Sequence, residues 1–272
     1  ASGVSSQKLG ITSTGAASDW TAVQTVSASG TSSSKLKISG GWDLSGTPAQ
    51  DGQTYFRQMN ATFNNRYGYG LYLNSKNYVE IERCHFLRYN YGIRLSSSSS
   101  NNIITTPTCN NNTNGIYLSS SSNNTITTPT CNSNTYGIFL SNSSNNTITT
   151  PTCNSNGYGI YLLNSSNNTI TTPTCNSNDS YGIYVYNSSN NTITSPTCNS
   201  NICGIYSDNS SNNTITTPTC NSNSEGIYLY NSPNNNITTP TCNSNTCGID
   251  LYNSPNNTIT TPTCNSNTNG IY

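Results

Sequence analysis

The chain has 272 residues, of which only 7% are charged, and nine basic and nine acidic residues cancel to a net charge of zero. Ordinary globular chains carry roughly 25% charged residues, and the apolar share here is only 31%. All nine Lys and Arg residues fall at or before Arg94, which excludes a phosphate-binding surface over most of the length and makes nucleic acid an unexpected partner. No apolar run is long enough for a membrane-spanning helix.

Residues 1–66 are polar, with two strand-like stretches, "SKLKISGGWDL" and "TYFRQMNATF". They are expected to form an N-terminal capping or assembly region, partly β. The acids and bases of this end, Asp43, Asp51, Arg57, Glu80, Glu82, Arg83 and the single His85, are expected to serve as a charged cap that stops indiscriminate stacking at a sheet edge.

From about Tyr67 to Tyr272 the chain repeats. The pair Gly-Ile recurs at Gly115, Gly137, Gly159, Gly182, Gly204, Gly226, Gly248 and Gly270. The step is 22 residues, with a single step of 23 where Asp179 and Ser180 bring an extra residue. Cysteines march in phase at Cys109, Cys131, Cys153, Cys175, Cys198, Cys220, Cys242 and Cys264. In the earliest copy Val79 and Cys84 keep the five-residue separation of Ile126 and Cys131, so Cys84 is expected to open this column. Repeats of this period signal a solenoid, in which each copy buries its apolar residues against its neighbours.

Within one copy three short segments stand out: "TIT" around Ile126, "PTC" ending at Cys131, and "GIFL" from Gly137. They are rich in Thr, Ile and aromatic residues and interrupted by proline, which favours strands over helices. The intervening "SNSSNN" and "NSN" suit turns, because Asn tolerates left-handed backbone angles. Three strands and three turns in 22 residues predict one coil of a parallel β-helix. The Asn-rich turn, the "TI" strand, "NSN" and "YGIYL" resemble the right-handed parallel β-helix repeats of the pectate-lyase-like superfamily, particularly Asn-rich archaeal and bacterial surface proteins. A narrower resemblance is to Cys-containing β-helical proteins of archaeal sheaths and surface layers.

Stacked coils place equivalent residues about 4.8 Å apart, so each repeat position becomes a ladder. Ile116, Leu118 and Ile126 with their equivalents are expected inside, and corner asparagines are expected to hydrogen-bond between coils. The cysteine ladder reads either as small core hydrophobes or as disulfides between successive coils, which would require tilting because stacked Cβ atoms lie wider than a disulfide prefers. A single column does not cluster ligands as zinc needs, so neither metal nor cofactor is expected. Cys203 and Cys247 stand outside the ladder, each five residues after a ladder cysteine. They are candidates for a corner bridge to Cys198 or Cys242, or for links between subunits.

The position after Gly-Ile forms an outward aromatic column of Tyr72, Tyr117, Phe139, Tyr161, Tyr184, Tyr206, Tyr228 and Tyr272. It suits sugar rings or another subunit, or it stacks for the sake of the strands alone. Thr127, Thr149 and Thr171 form a column that would suit ice only if flat, and Pro129 and its equivalents are expected to interrupt it. Sequons at Asn123, Asn145, Asn167, Asn190 and Asn212 fit a secreted glycoprotein, although an Asn/Thr-rich repeat also creates them by chance. The only acids beyond Arg94 are Asp179, Asp208, Glu225 and Asp250, with no adjacent carboxylate pair, so no enzyme is expected. The chain reads as a mature extracellular form ending in mid-coil without a cap. Such an end predicts a structural protein that joins copies of itself head to tail into a filament, sheath or surface layer. The alternative is a glycan-binding or glycan-degrading β-helix.

Overall fold

A computed structural model describes residues 29–39, 54–57 and 68–272, and every element in it is a strand or a turn. Asp43 and Asp51 lie outside the described residues, as does the Arg57 side chain. The chain winds into an all-β parallel β-helix. One ten-stranded parallel sheet runs from Leu36–Ser39 through Val79–Glu82, Ile103–Thr105 and the Thr-Ile-Thr strands to Thr258–Thr260. A second runs from Tyr69–Asn74 through the Gly-Ile strands to Asn269–Ile271. Successive strands pair position for position, as in Ile126 with Ile148 and Ile138 with Ile160.

The third side is narrower than three equal strands would make it. Among the described residues it forms strands at Thr54–Arg57, Cys84–Leu87 and Thr108–Asn110. In later coils it shrinks to one bridge, as between Thr130 and Thr152. Proline supplies no N–H at the preceding position, leaving Thr152 N–H to Pro129 O at 2.9 Å and Cys131 N–H to Thr152 O at 2.8 Å. Leu36–Ser39 and Thr54–Arg57 pair in parallel with Val79–Glu82 and Cys84–Leu87, so strands from within residues 1–66 continue two sides of the solenoid.

Register also corrects the first copy. Ile81, not Val79, pairs with Ile104 and through it with Ile126. Phe86, not Cys84, pairs with Cys109. The five-residue separation is kept by Ile81 and Phe86, and Cys84 sits two residues earlier, on the same face by strand alternation and buried. The ladder therefore opens with a phenyl ring.

The core is a set of columns. Ile104, Ile126, Ile148, Ile170 and Ile193 on one side, Ile116, Ile138 and Leu140 on another, and Cys131 and Cys153 on the third have no exposed surface. Three polar columns are buried beside them. Asn124 N–H donates to Asn146 Oδ1 at 2.9 Å, Asn134 N–H to Asn156 Oδ1 at 2.8 Å, and Ser143 N–H to Ser165 Oγ at 3.0 Å, and each pattern repeats in the coils above and below. These side chains supply acceptors where the turns break the backbone ladder.

The glycine before each inward isoleucine has a steric reason. A Cβ on Gly159 would sit 2.4 Å from Gly182 O, 3.0 Å from the Cys175 Cβ and 3.1 Å from Asn178 Nδ2. Glycine thus makes room for the cysteine and asparagine columns at once. Gly159→Ala is expected to lower stability by about 1–3 kcal/mol through overpacking, measured by denaturant unfolding; an unchanged midpoint would show that the coils can shift apart.

Candidate functional site

The outer face of the Gly-Ile sheet gathers the chemistry. In the column after Gly-Ile, Phe139 stacks on Tyr161 at 4.8 Å and 8°, Tyr161 on Tyr184 at 4.8 Å and 7°, Tyr184 on Tyr206 at 5.0 Å and 3°, and Tyr206 on Tyr228 at 5.0 Å and 10°. Strand spacing dictates these distances, and the parallel stacks cover both faces of each inner ring. The free part of each ring is then its hydroxyl edge, so the column offers a row of phenols and not flat aromatic platforms.

A second column, one place before each glycine, was not singled out from the sequence. Tyr69, Tyr91, Tyr136, Tyr158 and Tyr181 line it, and Tyr136 touches both Phe139 at 5.1 Å and Tyr158 at 5.1 Å. Towards the N-terminal end, Arg94 takes the column position between Tyr72 and Tyr117. Its guanidinium lies 5.2, 5.3, 4.9 and 5.7 Å from the rings of Tyr69, Tyr72, Tyr91 and Tyr117, a cation held by π faces. It donates to Tyr69 Oη at 2.7 Å, while its buried Nε has no partner. The sequence signal for Arg94 was its place directly after Gly92-Ile93.

Towards the other end the face turns acidic. Asp208 shares the column of Tyr186 and Tyr230, Glu225 sits between Cys203 and Cys247, and Asp250 stacks on Tyr228. Parallel register sets these acids on three successive coils at three different places along the strand, and of them Asp250 is the one that acts on Glu225. Tyr184 Oη donates to Asp208 Oδ2 at 3.5 Å and Asn209 Nδ2 to Oδ1 at 2.8 Å. Burial raises the pKa of all three acids, and Asp250 adds to the rise at Glu225. Burial also pushes the Tyr161 phenol up to about 12 and raises Tyr184 and Tyr206, with Asp208 contributing to both. The result is a row of neutral hydroxyl donors beside carboxyls that hold their protons longer than usual, the requirement for general acid chemistry. Tyr272 stands apart at the end of the chain and is 78% exposed.

The cysteines lie elsewhere. None from Cys109 to Cys264 is joined in a disulfide. Cys203 and Cys247 do not reach Cys198 or Cys242. They are buried, and their thiols donate within their own strands to Ile205 O at 3.3 Å and Ile249 O at 3.5 Å. The five sequon asparagines, by contrast, are exposed in left-handed turns, Asn123 at φ 59° among them.

The sequence pattern defining the periplasmic copper-binding protein (NosD) family matches residues 49–172 and 161–272. The chain belongs to the NosD family. No curated protein matches it in sequence. Among solved structures it is similar to the mannuronan C-5 epimerase AlgE4 A-module of Azotobacter vinelandii, with TM-score 0.60 and 12% identity over 85% of this chain and 86% of that one. It is also similar to the periplasmic alginate epimerase AlgG, with TM-score 0.54 and 14% identity over 84% and 59%. A third likeness is to the enzymatically active domain of tailspike protein 2 from bacteriophage CBA120, with TM-score 0.58 and 13% identity over 68% and 34%. These likenesses show the fold, a right-handed parallel β-helix. They also overturn the expectation of a non-enzyme, since that expectation rested on an array without chemistry, and the same backbone here aligns with two epimerases and an enzymatically active domain. The narrower likeness to archaeal sheath proteins finds no support among them.

The family's description raises the question of copper. Soft thiolates suit Cu(I), but the ladder offers one sulfur per coil, in single file, and from Cys109 to Cys242 it is fully buried. Burial pushes the thiols of Cys131, Cys198 and Cys220 well up, whereas a metal needs them deprotonated. At Cys175 burial is outweighed by hydrogen bonds from Cys153 and Cys198, which lower it, but a single low thiol between raised ones is not a ligand set. No three His, Cys, Asp or Glu groups converge as metal ligands among the described residues. The residues described do not fit a copper centre.

Two measurements check this site. Raised carboxyl pKa values mean that the unfolded chain ionises first, so stability falls as pH climbs from about 4, the ordinary carboxylate range. The melting temperature is expected to drop over that climb, and Glu225→Gln with Asp250→Asn is expected to flatten the drop; parallel curves would place these acids in solvent. Thiol titration of the native chain is expected to label Cys264, which is half-buried, and to reach Cys203 and Cys247 only in denaturant. Rapid native labelling of those two would reinstate them as candidates for linking subunits.

Proposed function

We propose that the protein binds and modifies a glycan along the aromatic face of its Gly-Ile sheet, in the periplasm or outside the cell. One observation carries this reading: a row of phenol edges at Tyr117, Tyr161, Tyr184, Tyr206 and Tyr228, interrupted by Phe139, runs from Arg94 towards the carboxyls Asp208, Glu225 and Asp250. A linear glycan laid along the axis meets phenol hydroxyls on four successive coils, Tyr161, Tyr184, Tyr206 and Tyr228, and hydroxyl groups are what a sugar chain presents in return. Asp208, Glu225 and Asp250 then supply the proton donor and acceptor that cleavage or epimerisation of a sugar unit requires.

The periplasmic family and the glycan-acting neighbours support this reading over the filament expected from the sequence. No helix among the described residues is long and apolar enough to cross a membrane.

The test is incubation of the full chain with a panel of soluble neutral and acidic polysaccharides, with binding read by affinity electrophoresis and chemistry by NMR of the products. Retardation by at least one polysaccharide, weakened by Tyr184→Ala, is expected. Product formation is expected to be lost in Glu225→Gln or Asp250→Asn while retardation persists. Neither retardation nor product across the panel would end the proposal.

A further inference from the structure

The Thr-Ile-Thr sheet presents a second surface that the glycan reading does not use. In each coil from Thr125 to Thr260 the inner residue is isoleucine, and the residues on either side point outward, as Thr147 and Thr149 do around the fully buried Ile148. The outward positions thus form two parallel columns across seven successive strands, threonine at every place except Asn236. Strand geometry sets the repeat at about 4.8 Å along the axis and about 6.6 Å between the columns.

The expected interruption by proline is not there. Pro129 follows a corner at Thr128 and is buried on the third side, outside the strand. The array is also uniform. The corner residue holds φ between 47° and 49° in every coil from Thr106 to Thr261. The bond from its N–H to the next coil measures 2.8 Å at Thr128, Thr150, Thr172, Ser195, Thr217 and Thr239. Such constancy means that every coil repeats the corner geometry of the one before it.

No charged residue falls on these two columns between Thr125 and Thr260. Each threonine offers a methyl, around which water orders, and a hydroxyl that can anchor that water. No contact within the protein occupies the hydroxyls of Thr149 and Thr171.

From this lattice we infer that the Thr-Ile-Thr face binds ice. A small molecule seated on one or two coils gains nothing from a repeat held constant over seven, whereas a crystal surface meets it at every unit. Waters ordered on rigidly spaced methyl and hydroxyl groups are themselves a two-dimensional lattice, and ice is the uncharged crystal that such a lattice matches.

The experiment uses the full chain, fluorescently labelled at its amino terminus, with a single ice crystal grown in its solution. Adsorption to defined planes of the crystal and inhibition of recrystallisation are expected, both lost in Thr171→Tyr at the centre of the face and both kept in Ile202→Lys on an exposed corner away from it. Circular dichroism checks that the variants fold, and Thr149→Lys replaces Thr171→Tyr if that variant does not. Wild-type protein excluded from the crystal would overturn the proposal, as would adsorption unaffected by either threonine variant. Retention on crystalline cellulose or chitin without any effect on ice would overturn it in favour of a solid glycan.

Discussion

Each coil is held to the next by asparagine and serine side chains whose oxygens accept hydrogen bonds from backbone N–H groups one turn away. A solenoid of this width must turn sharply three times in 22 residues, and each turn breaks the strand-to-strand ladder and strands backbone donors inside. Asn124, Asn134 and Ser143 with their equivalents meet that demand from within the neighbouring coil. The bond forms only if the same residue recurs at the same place, so the need propagates along the axis. From it follow the constant register, the glycine that clears space for the asparagine, and the small cysteine that fits beside both.

That demand also explains what could be read without coordinates. Any position constrained from coil to coil shows as a period in the sequence, so the inward isoleucines, the cysteine column and the corner asparagines were visible at once. Ladder membership in the first copy was not, because a spacing of five fits both Val79 with Cys84 and Ile81 with Phe86. Only pairing of strands chooses between them. The acidic end of the aromatic face was hidden for the opposite reason. Asp208, Glu225 and Asp250 occupy three different repeat positions, so no period in the sequence shows that they share one face of three stacked coils.

The two exposed sheets show how one backbone serves different chemistry. On the Gly-Ile side the columns tolerate exchange: Tyr, Phe, Arg and Asp share one position, and Tyr, Asn, Cys and Glu another. Departures from the repeat there place charge at chosen coils, as an active face needs. On the Thr-Ile-Thr side the two columns vary once in seven coils. Variation marks the face where individual coils matter, and uniformity marks the face where only their sum does.

The asparagine columns bear on how the protein ages. Asparagine followed by glycine is the pair most prone to deamidate, because the glycine nitrogen can attack the amide and close a succinimide ring. Asn156–Gly157 is such a pair, yet its attacking nitrogen donates to Asn134 O at 3.0 Å, and the Asn156 amide accepts from Asn134 N–H at 2.8 Å while donating to Asn178 at 3.2 Å. Ring closure has to wait until the coil opens. A chain dense in a chemically perishable residue is thereby made durable by folding, and a deamidated Asn156 would record that this coil had once come apart.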